Sequence, residues 1–304
     1  MPADLRQKAL VKRRYFVEWW LFLGFRALVW PLPLPLARGL LAGFFDLLGR
    51  LVTSQNQRID RSLAVAFPDQ SAAWRLQRRR RAWRNLGRSV AEIMKPAAAR
   101  RGFETSSDLH LEPELSALNH DSRGTLLLMG HFGAWEALGP LAPQFRGKVL
   151  DIYRPLENPF IDAAVHRARV RSGAAFVSVY DPDVVRKAVR HLRAGGVLSL
   201  FADQRWATGE PLSLFGQPAL TSLAAGLFQR AGDARVAVLF SRRVEGEPDR
   251  SYEVVLRPLQ WHAEPEASWR VRGQAIMTAF HSEVEDWVRV HPDSWFWLHD
   301  RWKP

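Results

Sequence analysis

The last two-thirds of the chain contain a series of short apolar runs, and this series most constrains the fold. The runs that read as strands are 125–129, 149–153, 174–179, 197–201, 236–240 and 252–256. Amphipathic helical patterns lie between or after several of them, at 183–193, 221–231 and 273–290. Strands that alternate with helices predict an α/β domain whose sheet is mixed, mostly parallel and flanked by helices.

Positive charge is concentrated in the first third of the chain. The whole protein has 304 residues and a formal net charge of +12. Residues 1–101 hold 20 Lys and Arg against six Asp and Glu, whereas the remainder holds 23 against 25 and all nine histidines. A basic region of this kind is typical of contact with a polyanion, either nucleic acid or an anionic membrane surface.

An apolar, aromatic stretch within that basic region favours the membrane. Residues 15–52 carry many Trp, Phe and Leu side chains, three nearby prolines and few charges. No run of 18 uncharged apolar residues occurs, so we expect two interfacial amphipathic segments, 15–30 and 36–52, rather than a spanning helix. Lysines and arginines at positions 8–14 favour a cytoplasmic N-terminus. The alternative is that these segments are buried core helices.

A cluster of arginines between residues 75 and 88 follows the apolar stretch. It is interpreted either as a solvated helix face or as a surface that attracts anionic headgroups. We therefore predict that 1–104 is a membrane-associating helical region packed on an α/β catalytic domain, 105–304.

The absence of cysteine excludes several chemistries. The chain has no thiol nucleophile, disulfide framework, Cys-based zinc site or iron–sulfur cluster. It also lacks the HExxH, P-loop and GxGxxG patterns, so no metal, ATP, NAD or other cofactor is expected.

The most informative local sequence is LLLMGHFGAWEALG, where a strand-like run leads into Gly130 and His131. His131 and Glu136 are five residues apart and would not share a helix face. They can meet only if His131 lies in the turn and Glu136 in the first helical turn, where the carboxylate could orient the imidazole as a general base. The alternative is a structural histidine at a strand end.

The segment GHFGAWE resembles the H-x4-D/E motif of the glycerolipid acyltransferases, and more closely the late acyltransferases of lipid A biosynthesis, which transfer lauroyl or myristoyl groups. Further matching segments occur in the expected order over most of the chain: AFPD (66–69), YRPLENP (153–159), HRARVRSG (166–173), FADQ (201–204), LFGQPA (214–219), VLFSRR (238–243) and HPDSWFWLHDRWK (291–303).

This resemblance implies an O-acyltransferase (EC 2.3.1.-) that moves a fatty acyl chain from acyl-acyl carrier protein to a hydroxyl of a lipid A precursor. It implies His131 as general base held by Glu136, with Arg154, Arg169 and Asp203 binding substrate or positioning other groups. It also implies a location on the cytoplasmic face of a bacterial inner membrane, in contact with its phospholipids.

Other functions remain open from the sequence. The acceptor could instead be an ornithine lipid, a glycolipid or a lysophospholipid, and the donor could be acyl-CoA. A second alternative is a membrane-docked lipid-binding protein that has no catalytic turnover. A third is a basic protein that binds nucleic acid, although our prediction is that nucleic acid is not a partner.

Overall fold

A six-stranded sheet with helices on both faces forms the centre of the protein. The computed structural model describes residues 3–104, 111–171, 173–244 and 252–303. The α-helices are α1 (Ala3–Val29), α2 (Leu34–Gly49), α3 (Thr53–Ala66), α4 (Ala72–Met94), α5 (Pro96–Glu104), α6 (Glu112–His120), α7 (Pro159–Val170), α8 (Val184–Arg193), α9 (Ala224–Gly232) and α10 (Trp269–Val290). The strands are β1 (Thr125–Met129), β2 (Val149–Tyr153), β3 (Ala175–Ser178), β4 (Val197–Phe201), β5 (Glu210–Leu214), β6 (Gln217–Thr221), β7 (Arg235–Arg243) and β8 (Tyr252–Pro258).

The order of strands in the main sheet is β3-β2-β4-β1-β7-β8. Every neighbouring pair is parallel except β7 and β8, which are antiparallel. The predicted mixed, mostly parallel sheet is therefore confirmed, and all six predicted strands belong to it. Because β1 and β4 are adjacent and parallel, their carboxyl ends lie side by side, with Met129 in register with Phe201.

Strand β1 is buried on both faces, as expected for the centre of a parallel sheet. Leu126 and Leu128 pack into a core shared with α3, α4, α8, α9 and α10. Leu127 and Met129 face the opposite way, into a second core with α5 and α6. Successive side chains of β1 point to opposite faces of the sheet, so this strand packs against the helices on both faces.

A two-stranded hairpin, β5–β6, was not predicted from the sequence. Its turn contains Phe215 and Gly216, both at positive φ, as tight hairpin turns require. The helix predicted over 221–231 is wrong at its start, because Thr221 pairs with Glu210 as the last residue of β6. Helix α9 begins only at Ala224.

The two apolar segments of the front third are helical, as predicted, but α1 begins well before residue 15 and includes the basic residues ahead of it. The helices are separated at the proline cluster, since α1 ends at Val29 and Pro33 precedes α2. Among the described residues, no helix combines the length and apolar character needed to cross a bilayer. The predicted domain boundary borders residues 105–110, which lie outside the described residues.

Four consecutive arginines of α4 form ion pairs with aspartates of other elements. The pairs are Arg78 and Arg81 with Asp293, Arg79 with Asp60, and Arg80 with Asp46. Part of the positive charge of this helix is therefore used to hold α4 against α2, α3 and the segment that follows α10.

Candidate active site

The backbone places His131 and Asp203 together, although 72 residues separate them in the sequence. Each lies two residues beyond the end of its strand, His131 after β1 and Asp203 after the neighbouring β4. Ligand and catalytic sites of open parallel sheets form at this carboxyl edge. Gly133 sits in the turn after β1 at a φ of +46°, and a Cβ there would lie 2.6 Å from the Arg242 Cα, so the turn requires glycine.

The imidazole of His131 is hydrogen-bonded to the carboxylate of Asp203. Nδ1 of His131 lies 2.8 Å from Oδ1 of Asp203. Because an ionised carboxylate only accepts, Nδ1 carries the proton and donates it. In the neutral ring Nε2 is then the acceptor, and no hydrogen bond to Nε2 occurs among the described residues. The His131 side chain is 20% exposed, so the imidazole is not sealed from solvent.

Asp203 is buried and held by two further donors. Its Oδ2 accepts from the backbone N–H of His131 and from Nε1 of Trp295, both at 2.9 Å. Burial alone would raise the pKa of Asp203, but the charge and hydrogen bonds of His131 and the bond from Trp295 outweigh it and lower the pKa to about 2. The carboxyl group of Asp203 is therefore ionised at neutral pH.

Glu136 pairs with Arg169 instead of His131. Arg169 donates to Glu136 from Nε at 3.1 Å and from Nη2 at 2.5 Å. Burial disfavours the charged guanidinium, but Glu136 outweighs this effect and the pKa of Arg169 is raised. The carboxylate that contacts the imidazole in the structure is that of Asp203, because β4 lies directly beside β1 in the sheet. The predicted role of Glu136 beside His131 stays a prediction.

Three aromatic rings surround the imidazole of His131. The ring centroid of Phe201 lies 4.6 Å from that of His131, Trp135 lies 5.5 Å away and Phe296 lies 6.1 Å away. Phe201 is exposed at the rim of the site. Apolar walls beside a histidine suit a substrate that has both a polar reacting group and an aliphatic portion.

Arg154 is not brought into this group. It follows β2, and its guanidinium lies 5.9 Å from the ring centroid of Tyr180. The contact is a cation–π interaction on an exposed surface. Its predicted role in substrate binding stays a prediction.

Sequence reasoning missed Asp151, Ser199 and the role of Trp295. Asp151 on β2 is in register with Ser199 on β4, and the Ser199 hydroxyl donates to its carboxylate. Desolvation by burial raises the pKa of Asp151 to about 7, with Arg169 opposing the shift. A lone Asp in the apolar run VLDIY was the available signal, whereas nothing in the sequence indicated the Trp295 contact.

The described residues hold no group of three or more His, Cys, Asp or Glu that could bind a metal ion.

The sequence model of the bacterial lipid A biosynthesis acyltransferases matches residues 6–304. The chain belongs to this family. A curated relative, the lipid A biosynthesis lauroyltransferase of Escherichia coli (strain K12), is 26% identical over 305 aligned positions. The alignment covers 97% of this chain and 94% of the relative. The protein is thus an acyltransferase of lipid A biosynthesis (EC 2.3.1.-), and its resemblance to the lipid A acyltransferases is confirmed.

Proposed function

We propose that this lipid A acyltransferase moves a fatty acyl chain from acyl-acyl carrier protein to a hydroxyl group of a lipid A precursor, with His131 as the general base. The observation that carries the proposal is the 2.8 Å bond between His131 Nδ1 and Asp203 Oδ1. It fixes the tautomer in which Nε2 can accept a proton, and the side chain remains accessible.

The reaction requires no covalent enzyme intermediate. Nε2 of His131 takes the proton of the acceptor hydroxyl as its oxygen attacks the thioester carbonyl. The C–S bond then breaks, and the thiolate of the carrier leaves with the proton returned by the imidazolium. Asp203 stabilises the transient imidazolium, because it remains ionised and faces Nδ1. A chain without cysteine suits this direct transfer.

Arg169 and Glu136 form the second polar part of the proposed site. Their bidentate pair joins α7, which follows β2, to the 3-10 segment that follows β1 and His131. We assign Arg169 and Arg154 to binding the anionic acceptor, since guanidinium groups form charge-assisted hydrogen bonds with phosphate oxygens. Glu136 fixes the orientation of Arg169 in this assignment.

The aromatic wall formed by Trp135, Phe201 and Phe296 is the proposed contact surface for the acyl chain near the thioester. These rings lie within about 6 Å of the His131 imidazole, so an aliphatic chain packed against them would lie beside the reacting carbonyl.

Membrane association is proposed through the front apolar surface, which comprises exposed apolar side chains of α1, α2 and the adjoining turns. Its members are between 40% and 76% exposed: Phe16, Val17, Trp20, Leu21, Leu28, Trp30, Leu36, Leu40, Phe44, Leu47 and Leu51. A surface this rich in Trp, Phe and Leu on a basic region suits an interfacial position on phospholipid. We assign it to the cytoplasmic face of a bacterial inner membrane.

The proposed chemistry is tested by assaying purified protein with acyl-acyl carrier protein or acyl-CoA as donor and a lipid A precursor as acceptor. His131→Ala should abolish transfer, and Asp203→Asn should lower kcat about 100-fold or more because the tautomer is no longer fixed. The matched control is Asp300→Asn, which removes an ion pair with Arg61 at 3.0 Å and leaves the His131–Asp203 bond in place. Full activity of a folded His131→Ala protein would rule out the mechanism.

The acceptor is tested separately by lipid mass spectrometry of cells with and without the gene. Loss of a secondary acyl chain from lipid A supports the proposal. Loss of acyl chains from ornithine lipid, glycolipid or lysophospholipid instead would keep the chemistry and replace the acceptor. Absence of thioester consumption by the native enzyme would favour a non-catalytic lipid-binding protein.

A further inference from the structure

A small cavity is lined in part by Asp203, the residue bonded to His131. Its volume is about 10 Å³, and Ser62, Asp203, His299 and Arg301 line it together with four aromatic side chains. A cavity of roughly 10–15 Å³ by this measure accommodates one water molecule, provided that two to four polar groups can bind it. The polar groups here meet that requirement.

Two buried polar atoms at this cavity have no hydrogen-bond partner among the described residues. They are Oγ of Ser62 and Nε of Arg301. Ser62 lies on α3 and Arg301 near the C-terminus, and each is at most 2% exposed. An unsatisfied buried donor or acceptor costs roughly 1–3 kcal/mol, so two such atoms at the same cavity indicate a shared partner.

Arg301 is a buried cation without a carboxylate in contact among the described residues. Its Nη1 donates to the carbonyl of Leu220 at 2.8 Å, and its Nη2 donates to Oγ1 of Thr221 at 2.7 Å. Nη2 also lies 3.2 Å from Nε2 of His281. These partners are neutral acceptors, whereas a buried guanidinium normally requires a counter-charge.

Asp203 is the acidic group that acts on Arg301. Burial lowers the pKa of Arg301 to about 10, and the charge of Asp203 opposes that shift. Asp203 has room for one more donor, because among the described residues Oδ1 accepts one hydrogen bond and Oδ2 accepts two, whereas a carboxylate has about four acceptor positions. Arg301 and Asp203 thus carry opposite charges and both line the cavity, with no direct contact between them among the described residues.

We propose that one buried water occupies this cavity, accepts from Nε of Arg301, bonds to Oγ of Ser62 and donates to the carboxylate of Asp203. Arg301 is then a positioning residue: through the water it holds the carboxylate of Asp203 in the orientation that accepts from His131. The separation matters, because a direct Arg–Asp contact would compete with His131 for the same carboxylate oxygens. This inference rests on the proposed role of the His131–Asp203 pair.

The water itself is tested without any activity measurement, by a crystal structure of the full chain at a resolution that shows ordered water. We expect one water within about 3.2 Å of Ser62 Oγ, Arg301 Nε and an Asp203 oxygen. A dry cavity, or a water that does not contact Asp203, would overturn the inference. Neither outcome depends on the acceptor, the donor or the activity of His131.

The positioning role is tested with Arg301→Met and Arg301→Lys. Arg301→Met should lower kcat about tenfold or more with KM for the acceptor within about twofold, and ¹⁵N NMR should show a smaller share of the Nδ1–H tautomer of His131. Arg301→Lys should recover most of kcat. Wild-type kcat and tautomer in a folded Arg301→Met protein would contradict the role.

A second variant covers the case in which Arg301→Met does not fold. Ser62→Val fills the cavity with a methyl group and displaces the water while Arg301 remains; it should lower kcat severalfold and shift the tautomer in the same direction. The matched control is Gln229→Met, which removes a buried amide bonded to Ala234 and Arg272. Equal kcat losses in Ser62→Val and Gln229→Met, without a tautomer change, would rule out the positioning role.

Discussion

Arg169 donates two hydrogen bonds to Glu136, one from Nε at 3.1 Å and one from Nη2 at 2.5 Å. The two residues come from different elements, Glu136 from the 3-10 segment Trp135–Gln144 after β1 and Arg169 from α7 after β2. The parallel guanidinium–carboxylate geometry is the most directional ion pair that side chains form. It therefore fixes α7 relative to the turn that carries His131.

The first prediction is that Glu136 and Arg169 act as one unit. Glu136→Gln and Arg169→Met should each lower kcat/KM about 10-fold or more, and the double variant should be little worse than either, because each single change already breaks the pair. Steady-state kinetics of the three variants gives the coupling energy. Losses that add in full would show two independent roles.

The control for these single and double variants is Arg186→Met. This change removes an exposed ion pair, 2.8 Å long, between Arg186 on α8 and Asp183, the residue before that helix. Exposed pairs contribute about 0–1 kcal/mol, so this variant should keep both its stability and its kinetics. A comparable loss of kcat/KM in Arg186→Met would mean that the assay reports general destabilisation.

The sequence predicts the strands of the sheet well but not the contacts between distant side chains. The bounds of β1, β2 and β4 agree with the predicted 125–129, 149–153 and 197–201 because each is a short run of mainly apolar residues bounded by turn residues. The β5–β6 hairpin was missed because its strands contain Pro211 and Pro218, which weaken a strand pattern.

The same limit explains the partner of His131. The spacing of His131 and Glu136 is local and can be read directly from the sequence. The contact with Asp203 depends on β4 lying beside β1, which is fixed by packing of the whole sheet. A prediction of strand order was therefore needed before the carboxylate of the pair could be assigned.

The second prediction separates two tryptophans of the segment after α10. Trp295→Phe removes the indole donor to Asp203 and should lower kcat about 10-fold, because the carboxylate loses one of the bonds that orient it. Trp297→Phe removes a donor to the carbonyl of Pro292 and should leave kcat within about twofold. Both side chains are buried, so thermal unfolding should show similar stability losses.

A result in which the two variants lose equal activity would assign Trp295 to packing alone. Trp295 also forms an isolated β-bridge with Phe132, next to His131. The measurement should therefore include kcat and KM separately, since a packing defect that moves the turn would change both.

The third prediction concerns the pH dependence of stability through Asp151. Its pKa is about 7 in the folded protein, against about 3.9 for an unperturbed Asp. Between these values the folded state binds a proton that the unfolded state has lost, so this contribution to stability is complete below about pH 4 and is lost as pH rises through 7. Asp151→Asn mimics the protonated form and should be more stable than wild type at pH 8.

Urea unfolding of the wild-type and Asp151→Asn proteins at pH 5, 6, 7 and 8 measures how the stability difference between them changes with pH. The stability advantage of Asp151→Asn should be small at pH 5 and should grow up to about pH 7–8. Asp183→Asn is the control: its carboxylate pairs with Arg186 and has a lowered pKa, so its effect should not change between pH 5 and 8. An Asp151→Asn advantage that is constant over this range would contradict the raised pKa.

The fourth prediction tests the front apolar surface as the membrane-contacting part of the protein. Replacing Trp20, Leu36 and Leu47 together by Ser should lower partitioning into phospholipid vesicles by at least about tenfold. In the wild-type protein each of these exposed side chains would bury apolar area in the membrane, and that burial favours binding. Co-flotation with vesicles of mixed zwitterionic and anionic phospholipid measures the effect.

The matched control replaces three exposed valines outside that surface, Val185, Val271 and Val290, by Ser. These lie on α8 and α10, and their loss should leave flotation unchanged. Because anionic headgroups also attract the basic front region, the comparison should be repeated in high salt, where electrostatic attraction is screened and burial of apolar area remains. If the Trp20, Leu36 and Leu47 variant floats as well as wild type under both conditions, this surface does not carry the membrane contact.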